Sequence, residues 1–193
     1  MFLESHLNHS MKSGSIEVIC GSMFSGKTEE LLRRLKRANY AKLKVEIFKP
    51  IIDTRYDNSK VVSHNDNFIN STVVRDSYEI LEKVDNPDVV AIDEAQFFTD
   101  DISITCNKLA NTGIRVIVSA LDMDFLGRPF GYIPKLLAIS EHVTKTHAIC
   151  IDCGNIANHS FRMSDNKELF SLGEKNNYKP LCRRCYNKSI KHA

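Results

Sequence analysis

The sequence predicts an α/β protein built on a parallel β-sheet, with a small metal-binding unit at its C-terminal end. Three observations lead to this prediction. Short apolar runs typical of buried strands alternate with helical patterns as far as about residue 149. A glycine-rich segment follows the first of these runs and opens the first helix. Four of the six cysteines form two C-x-x-C pairs near the end, where apolar periodicity fades.

The predicted elements follow one another in a regular order. A strand at Ile16–Cys20 precedes a helix from Gly26 to about Tyr40, which carries an apolar stripe on one face. Further strands are predicted at Leu43–Phe48, Phe68–Val74, Val89–Ile92, Ile114–Ser119 and Val143–Ile149. Further helices are predicted at Ser77–Val84, Asp101–Asn111 (with Gly113 in its C-cap region) and Pro134–Ser140. The polar stretch Asp53–Asp66 is expected to be a loop.

Length and composition limit the organisation and the class of partner. With 193 residues the chain suffices for one α/β core and a small appendage. We expect a boundary between residues 146 and 147, with residues 1–14 as a flexible arm. Lys and Arg number 26 against 24 Asp and Glu, so no strongly basic surface indicates nucleic-acid binding. The apolar runs are too short to span a membrane, and the N-terminus lacks the apolar stretch of a signal peptide, which favours a cytoplasmic protein.

A phosphate-binding motif follows the first predicted strand. Residues 21–28, Gly-Ser-Met-Phe-Ser-Gly-Lys-Thr, match the pattern G-x-x-x-x-G-K-[ST]. In such a loop the backbone N–H groups approach phosphates, Lys27 supplies charge to the β- and γ-phosphates, and the Thr28 hydroxyl binds Mg²⁺. The alternative is a glycine-rich turn that matches by chance. The motif, between a strand and a helix, predicts a P-loop NTPase fold with a RecA-like sheet. Its ATP-binding residues are Gly21, Ser22, Met23, Phe24, Ser25, Gly26, Lys27 and Thr28.

Two acidic residues, Asp93 and Glu94, directly follow the apolar run Val89–Ile92. A P-loop needs a second acidic anchor for magnesium, and Asp93 is the natural candidate. Glu94 would lie next to the γ-phosphate and could serve as the general base on an acceptor hydroxyl. The alternative is that Asp93 and Glu94 only cap the following helix.

The cysteine pairs predict a structural zinc site. Cys150, Cys153, Cys182 and Cys185 can place four thiolates around Zn²⁺, which leaves no open position for catalysis. Two disulfides are the alternative. The metal would tether the segment between the pairs at its base, as in a lid. Cys20 and Cys106 are expected to be small buried residues. The three histidines nearest the pairs, His147, His159 and His192, are expected to be ordinary surface or loop residues.

The motifs together resemble those of the cellular, zinc-containing (type II) thymidine kinases. The resemblance is carried by residues 21–28, by Lys-Pro-Ile-Ile-Asp-Thr-Arg-Tyr at 49–56, by Asp-Glu-Ala-Gln-Phe-Phe at 93–98, by Leu-Asp-Met-Asp-Phe at 121–125 with Pro-Phe-Gly at 129–131, and by the cysteine pairs. They occur in the family's order and cover about residues 15–186. The resemblance implies phosphorylation of thymidine at its 5′-hydroxyl by ATP and Mg²⁺, with Glu94 as the base.

The resemblance also implies the remaining site residues. Gln96 joins Asp93 in the cofactor site, and the zinc-clamped segment, called a lasso in this family, covers the nucleoside. The implied substrate-binding residues are Met23, Asp53, Arg55, Leu121, Phe125, Phe130, Ser160, Leu169, Gly173 and Tyr178. The family often carries the loop arginine one or two places before the position of Arg128, so a transition-state role for Arg128 is not expected. Homotetramers and inhibition by the triphosphate end product are also implied.

Three other functions are compatible with parts of the sequence. An apolar pocket rejects an analogue that lacks one methyl only modestly, so a broader deoxynucleoside kinase that also accepts deoxyuridine is the nearest alternative. A nucleic-acid-dependent ATPase with a zinc ribbon is disfavoured by the near-neutral charge. A non-catalytic zinc interaction module would leave the intact Lys27, Thr28, Asp93 and Glu94 without a role.

Overall fold

The fold is described from a computed structural model, which places residues 13–52, 60–62, 68–163 and 177–190. The strands are β1 (Ser15–Gly21), β2 (Val45–Pro50), β3 (Lys60–Val62), β4 (Phe68–Asn70), β5 (Thr72–Val74), β6 (Val89–Ile92), β7 (Arg115–Ala120), β8 (His142–Thr146), β9 (Ala148–Ile149), β10 (Ile156–Ala157), β11 (His159–Arg162) and β12 (Tyr178–Leu181). The helices are α1 (Lys27–Tyr40), α2 (Tyr78–Lys83), α3 (Asp101–Asn111), α4 (Ile133–Ile139) and α5 (Arg183–Ile190), with a 3₁₀ helix at Ala95–Phe97.

Six strands form one parallel sheet in the order β5-β2-β6-β7-β1-β8. Helix α1 packs on one face, and α2, α3 and α4 pack on the other, so two apolar clusters cover the sheet. The four residues of β6 are buried, as expected for a strand covered on both faces. The predicted parallel α/β fold is therefore confirmed. Gly113 also follows α3 with φ 88°, the left-handed conformation expected beyond a helix C-terminus.

A buried ionic network joins α1 to the sheet. Arg34 of α1 donates to Glu17 of β1 at 2.6 Å, and Arg115 at the start of β7 donates to the other oxygen of Glu17 at 2.6 Å. Glu30 also accepts from Arg34 at 2.8 Å. A buried carboxylate needs such partners, because an unpaired buried charge is strongly destabilising. The network fixes the register of α1, and hence of the loop before it, against β1.

Three predicted elements differ from the observed ones. The predicted strand Phe68–Val74 is two strands, because β4 pairs with β3 while β5 joins the main sheet. The predicted loop Asp53–Asp66 contains β3, although the rest of it lies outside the described residues. The predicted strand Val143–Ile149 is also divided, since β8 lies at the edge of the main sheet and β9 pairs with β10. Apolar patterns do not identify which partner a strand takes.

The residues beyond β8 form what we term the C-terminal unit (residues 147–193). Two antiparallel ribbons, β9–β10 and β11–β12, and helix α5 make up its described part. Strands β10, β11 and β12 are not predicted, because each has only two to four residues and no apolar alternation, whereas β9 falls at the end of the predicted strand Val143–Ile149. Its buried core is small: Ala148, Cys150, Ala157, Leu181, Cys182 and Tyr186. Cys20 and Cys106 lie in the main core as predicted, and burial raises the pKa of each thiol, to about 11 and about 12.

Candidate active site

The loop between β1 and α1 is held in a tight, closed shape. Gly21 has φ 150°, and a Cβ there would lie 2.3 Å from the carbonyl oxygen of Thr146, so only glycine fits this position. The Ser25 hydroxyl donates to the carbonyl oxygen of Ser22 at 2.7 Å and is paired with the Thr146 hydroxyl at 2.9 Å. Edge strand β8 thus supports the loop from the side.

The start of α1 presents its backbone N–H groups to the centre of this loop. Gly26 is the N-cap residue, has a left-handed φ of 82° and carries no capping side chain. The first helical hydrogen bond runs from the Glu30 N–H to the Gly26 carbonyl at 3.0 Å. Lys27 folds back so that its ammonium donates to the Ser22 carbonyl at 2.8 Å. N–H groups at a helix start together with a lysine ammonium are suited to bind an anion such as a phosphate.

The predicted carboxylate pair lies where β6 ends. Asp93 is buried, and its carboxylate accepts the N–H of Glu94 at 3.0 Å. Glu94 adopts a left-handed conformation with φ 53°, which is uncommon for a residue with a Cβ. It precedes the 3₁₀ helix Ala95–Phe97, but its side chain does not cap that helix. The capping alternative therefore does not explain the Glu94 side chain.

Gln96 connects Glu94 to the next loop of the sheet. Its side-chain nitrogen donates to the Glu94 carboxylate, and its side-chain oxygen accepts the N–H of Leu121 at 3.0 Å. Because the Leu121 N–H can only donate, the orientation of the amide is fixed. Gln96 is buried, and both contacts are part-buried. The resemblance implies that Gln96 belongs to the cofactor site; its described contacts are to Glu94 and Leu121.

The loop after β7 carries the predicted apolar residues. Its turn is organised by the buried Asp124 carboxylate, which accepts the N–H groups of Leu126 and Arg128, each at 2.9 Å. Phe130 is buried, with its ring 6.4 Å from that of Phe97 in an edge-to-face arrangement. Phe125 is partly exposed, and the side chain of Arg128 is exposed.

The four paired cysteines converge as the spacing predicted. Their sulfur atoms lie within 4.8 Å of one another, and those of Cys153 and Cys182 are 3.6 Å apart. Zn–S bonds of about 2.3 Å in a tetrahedron place sulfurs roughly 3.8 Å apart, so the residues fit zinc. None of the six cysteines, all in described residues, forms a disulfide. Burial raises the pKa of Cys150, but hydrogen bonds from neighbouring backbone groups outweigh it and lower the pKa to about 6.

The C-terminal unit contacts the P-loop directly. The N–H of Met23 donates to the hydroxyl of Ser160 in β11 at 2.9 Å, and the Ser22 hydroxyl donates to the Ala157 carbonyl at 3.4 Å. Phe24, which has a left-handed φ of 62°, packs its ring into the small core around the cysteines. The predicted substrate residue Ser160 therefore has a described role in holding the P-loop.

The C-terminal unit also holds the loop after β7. Tyr186 of α5 donates its hydroxyl to the Phe125 carbonyl at 2.8 Å, and its ring stacks on His159 with centroids 4.4 Å apart. The prediction that His159 is an ordinary surface or loop residue is wrong, since it is buried. Arg162 places its guanidinium 3.7 Å from the centroid of the Phe125 ring. Tyr186 and Arg162 are not among the predicted site residues. Their positions in the sequence could have indicated them, since Tyr186 directly follows Cys185 and Arg162 is two places after Ser160.

Four predicted site residues lie outside the described residues: Asp53, Arg55, Leu169 and Gly173. His192 and most of the predicted arm also lie outside them. In the described part of the chain, no helix combines the length and apolar character needed to cross a membrane.

A P-loop after β1 of a parallel sheet, a carboxylate pair after β6 on the far side of β7, and an attached four-cysteine cluster that could hold a metal ion define a class of P-loop proteins with a candidate metal site. Comparison with known proteins identifies the family within it. The family model for thymidine kinase matches residues 14–186, and the chain belongs to the thymidine kinase family. The thymidine kinase of Bacteroides fragilis is 54% identical over 190 residues, which cover 98% of this chain and 96% of that protein. Those of Bacteroides thetaiotaomicron and Rhodothermus sp. are 55% and 52% identical, covering 96% and 93% of this chain and 94% and 84% of those proteins.

Proposed function

We propose that this chain transfers the γ-phosphate of ATP to the 5′-hydroxyl of thymidine. The observation that carries the proposal is the bridge from Glu94 through Gln96 to Leu121, which links the Glu94 carboxylate to the loop of apolar residues after β7. A carboxylate in that position can accept the proton of a nucleoside hydroxyl. Membership of the thymidine kinase family supports the choice of nucleoside.

ATP would bind with its phosphates on residues 21–28. The Lys27 ammonium would exchange the Ser22 carbonyl for phosphate oxygens, and the N–H groups at the start of α1 would face the same anion. The Thr28 hydroxyl and the Asp93 carboxylate are the oxygen ligands that Mg²⁺ prefers. When bound, Mg²⁺ neutralises charge on the phosphates. Lys27 would add a fixed charge, so that positioning and electrostatics provide most of the acceleration.

Thymidine would lie against the apolar residues next to the P-loop. Met23, Leu121 and Phe125 are partly exposed, while Phe130 is buried. Tyr178 and Ser160 would close the pocket from the C-terminal unit. Asp53, Arg55, Leu169 and Gly173 remain proposed contacts on the basis of the resemblance alone.

Zinc would hold the C-terminal unit together through Cys150, Cys153, Cys182 and Cys185. Four thiolates leave the metal no site for substrate, so its contribution is to stability. Through Ser160 and Phe24 this stability extends to the P-loop. We also propose the division into residues 1–146 and 147–193, a cytoplasmic location and, from the family resemblance, a homotetramer.

The test is transfer of γ-phosphate from ATP with Mg²⁺ to thymidine, with deoxyuridine, deoxycytidine and no nucleoside in parallel. Phosphorylated thymidine is expected, with deoxyuridine accepted about 10–200-fold less well, since one methyl group in an apolar pocket contributes only this much. ATP turnover without any phosphorylated nucleoside would contradict the proposal, although the P-loop assignment would survive.

A further inference from the structure

We propose that Arg162 is a positioning residue for the nucleoside, because it fixes two aromatic side chains of the pocket, Phe125 and Tyr178, at once. The inference rests on the proposed function, in which these two rings contact thymidine. Arg162 is the last residue of β11, is only 6% exposed and lies between the loop after β7 and strand β12.

The first contact is a stack on Phe125. The guanidinium carbon lies 3.7 Å from the ring centroid, which is close to direct contact between two flat groups. A ring has two faces, and Arg162 covers one of them. Phe125 keeps part of its surface exposed, so the uncovered surface can receive a planar base. Without Arg162 the ring would lose its support and could turn away from that position.

The second contact is with Tyr178. Arg162 and Tyr178 are directly opposite in the β11–β12 ribbon, and the guanidinium Nε donates to the tyrosine hydroxyl at 2.9 Å. The Nη2 atom of the same guanidinium donates to the same oxygen. Two donors from one rigid group fix the direction of the tyrosine ring as well as its distance. Hydrogen bonds from charged donors in buried surroundings are among the stronger ones.

Both contacts require the shape of arginine and not only its charge. Stacking on Phe125 needs a flat cation, and the paired donation to Tyr178 needs two N–H groups in a fixed fork. A lysine ammonium is neither flat nor forked. The Arg162→Lys variant should therefore behave more like a variant that lacks the side chain than like the wild type.

Loss of Arg162 is expected to change the KM for thymidine and not the KM for ATP. Contacts that join the C-terminal unit to the P-loop run through Ser160, Ala157 and Phe24. Loss of Arg162 should raise the KM for thymidine about tenfold, because it removes the desolvated cation–π contact that holds the Phe125 ring. The KM for ATP should stay within about twofold of the wild-type value.

The test compares zinc-loaded Arg162→Met and Arg162→Lys with Arg184→Met, a matched loss of an exposed arginine on α5. Bound zinc and the melting temperature are measured first, then kcat and KM for each substrate. Both Arg162 variants should show the rise in KM for thymidine alone, and Arg184→Met should show neither change. An unchanged KM for thymidine, an equal rise for ATP, or full rescue by lysine would overturn the proposal.

Tyr178→Phe provides a second test that removes one oxygen atom and keeps the ring. It should raise the KM for thymidine about threefold, because a hydrogen bond contributes about 0.5–1.5 kcal/mol. Added to Arg162→Met it should change nothing further, since its effect passes through Arg162. Multiplied effects in the double variant would overturn the proposal, and an unchanged KM in Tyr178→Phe would overturn it even if Arg162→Met does not fold. Absence of wild-type turnover would refute the proposed function as well, whereas normal turnover with unaffected variants would refute only the role of Arg162.

Discussion

The six-stranded sheet and the C-terminal unit are stabilised in different ways. The sheet buries apolar side chains on both faces, with fully buried residues in β1, β6 and β7 and four helices covering them. The C-terminal unit buries six residues in its own core, two of which are cysteines of the metal cluster. Ribbons of two to four residues per strand are marginal without such support.

The difference shows how a short chain can add a second binding surface to a sheet. Apolar burial stabilises the sheet by itself, while in the proposed function four thiolates and a metal add to the small apolar core of the described part of the C-terminal unit. Because the C-terminal unit contacts Met23, Phe24 and Phe125, its stability and the geometry of the site are linked.

The largest expected effect is that of zinc removal. Cys153→Ser, or a strong chelator, should unfold the C-terminal unit and reduce activity more than a hundredfold, because a structural zinc contributes on the order of 10 kcal/mol to folding in zinc-finger peptides. Hydrogen exchange should show loss of protection in β11 and β12 while β6 and β7 stay protected.

A matched cysteine of helix α3, buried in the main core, provides the control for zinc removal. Cys106→Ala leaves a small cavity in the main core, so it should lower the stability of the whole chain without releasing metal. Undiminished protection of β11 and β12 in the chelated protein would show that the C-terminal unit does not depend on zinc.

The next largest effect should come from Glu94→Gln, which keeps both regions folded. Glutamine can still accept the hydrogen bond from Gln96, but it is a far weaker base than a carboxylate. We expect kcat to fall about 10²–10⁴-fold with unchanged ATP binding. Steady-state kinetics and nucleotide titration measure the two quantities. Glu82→Gln, on the exposed side of α2, is the matched control, and a Glu94→Gln rate within tenfold of wild type would remove Glu94 as the base.

A smaller effect is expected from a change at the contact between the C-terminal unit and the P-loop. Ser160→Ala removes the acceptor for the Met23 N–H and should raise the KM for ATP about two- to tenfold, the range for one hydrogen bond. Titration with ATP in the absence of thymidine measures this directly. Ser140→Ala, which removes a hydroxyl at the end of α4, serves as the control. Equal ATP affinity in Ser160→Ala and wild type would show that the contact does not shape the P-loop.

The smallest expected effect is that of acid, which should affect the C-terminal unit and the sheet at different pH values. Hydrogen bonding to Arg33, reinforced by Arg34 and opposed by burial, lowers the pKa of Glu30 from 4.5 to about 2. The resulting stability is present above pH 4.5 and is lost as the pH falls through about 2. Zinc should leave earlier, since its thiolates take up protons. A pH titration should therefore show zinc release before loss of sheet structure, and Glu30→Gln should flatten the acid slope of the sheet alone. Simultaneous loss of zinc and sheet would contradict this separation.

The sheet could be predicted from the sequence because its signals are local. Val89–Ile92 is an apolar run of strand length followed by two acids, and the P-loop pattern fixes the strand before it and the helix after it. Strand pairing was harder to predict from the sequence, because the partner of a short strand depends on distant residues. Strands β4, β5 and β9 are examples.

Candidate ligands could be predicted, but the groups that orient them could not. The spacing of the cysteines is a direct consequence of metal geometry, and their convergence is confirmed. The contacts of Gln96 with Leu121, of Ser160 with Met23 and of Tyr186 with Phe125 join residues 25 to 137 positions apart. No periodicity encodes such pairs. Residues such as Asp53 and Leu169 stay predictions.

The contact between Met23 and Ser160 has a consequence for the order of assembly during synthesis. These residues are 137 positions apart, so at about 5–20 residues per second Ser160 is made roughly 7–30 seconds after Met23. The last two cysteines follow later still. Sheet formation therefore begins before the P-loop has its clamp, and with the proposed role of zinc active enzyme would appear only after the metal has been captured. Zinc supply should then determine the activity per chain in the cell more than it determines the amount of chain.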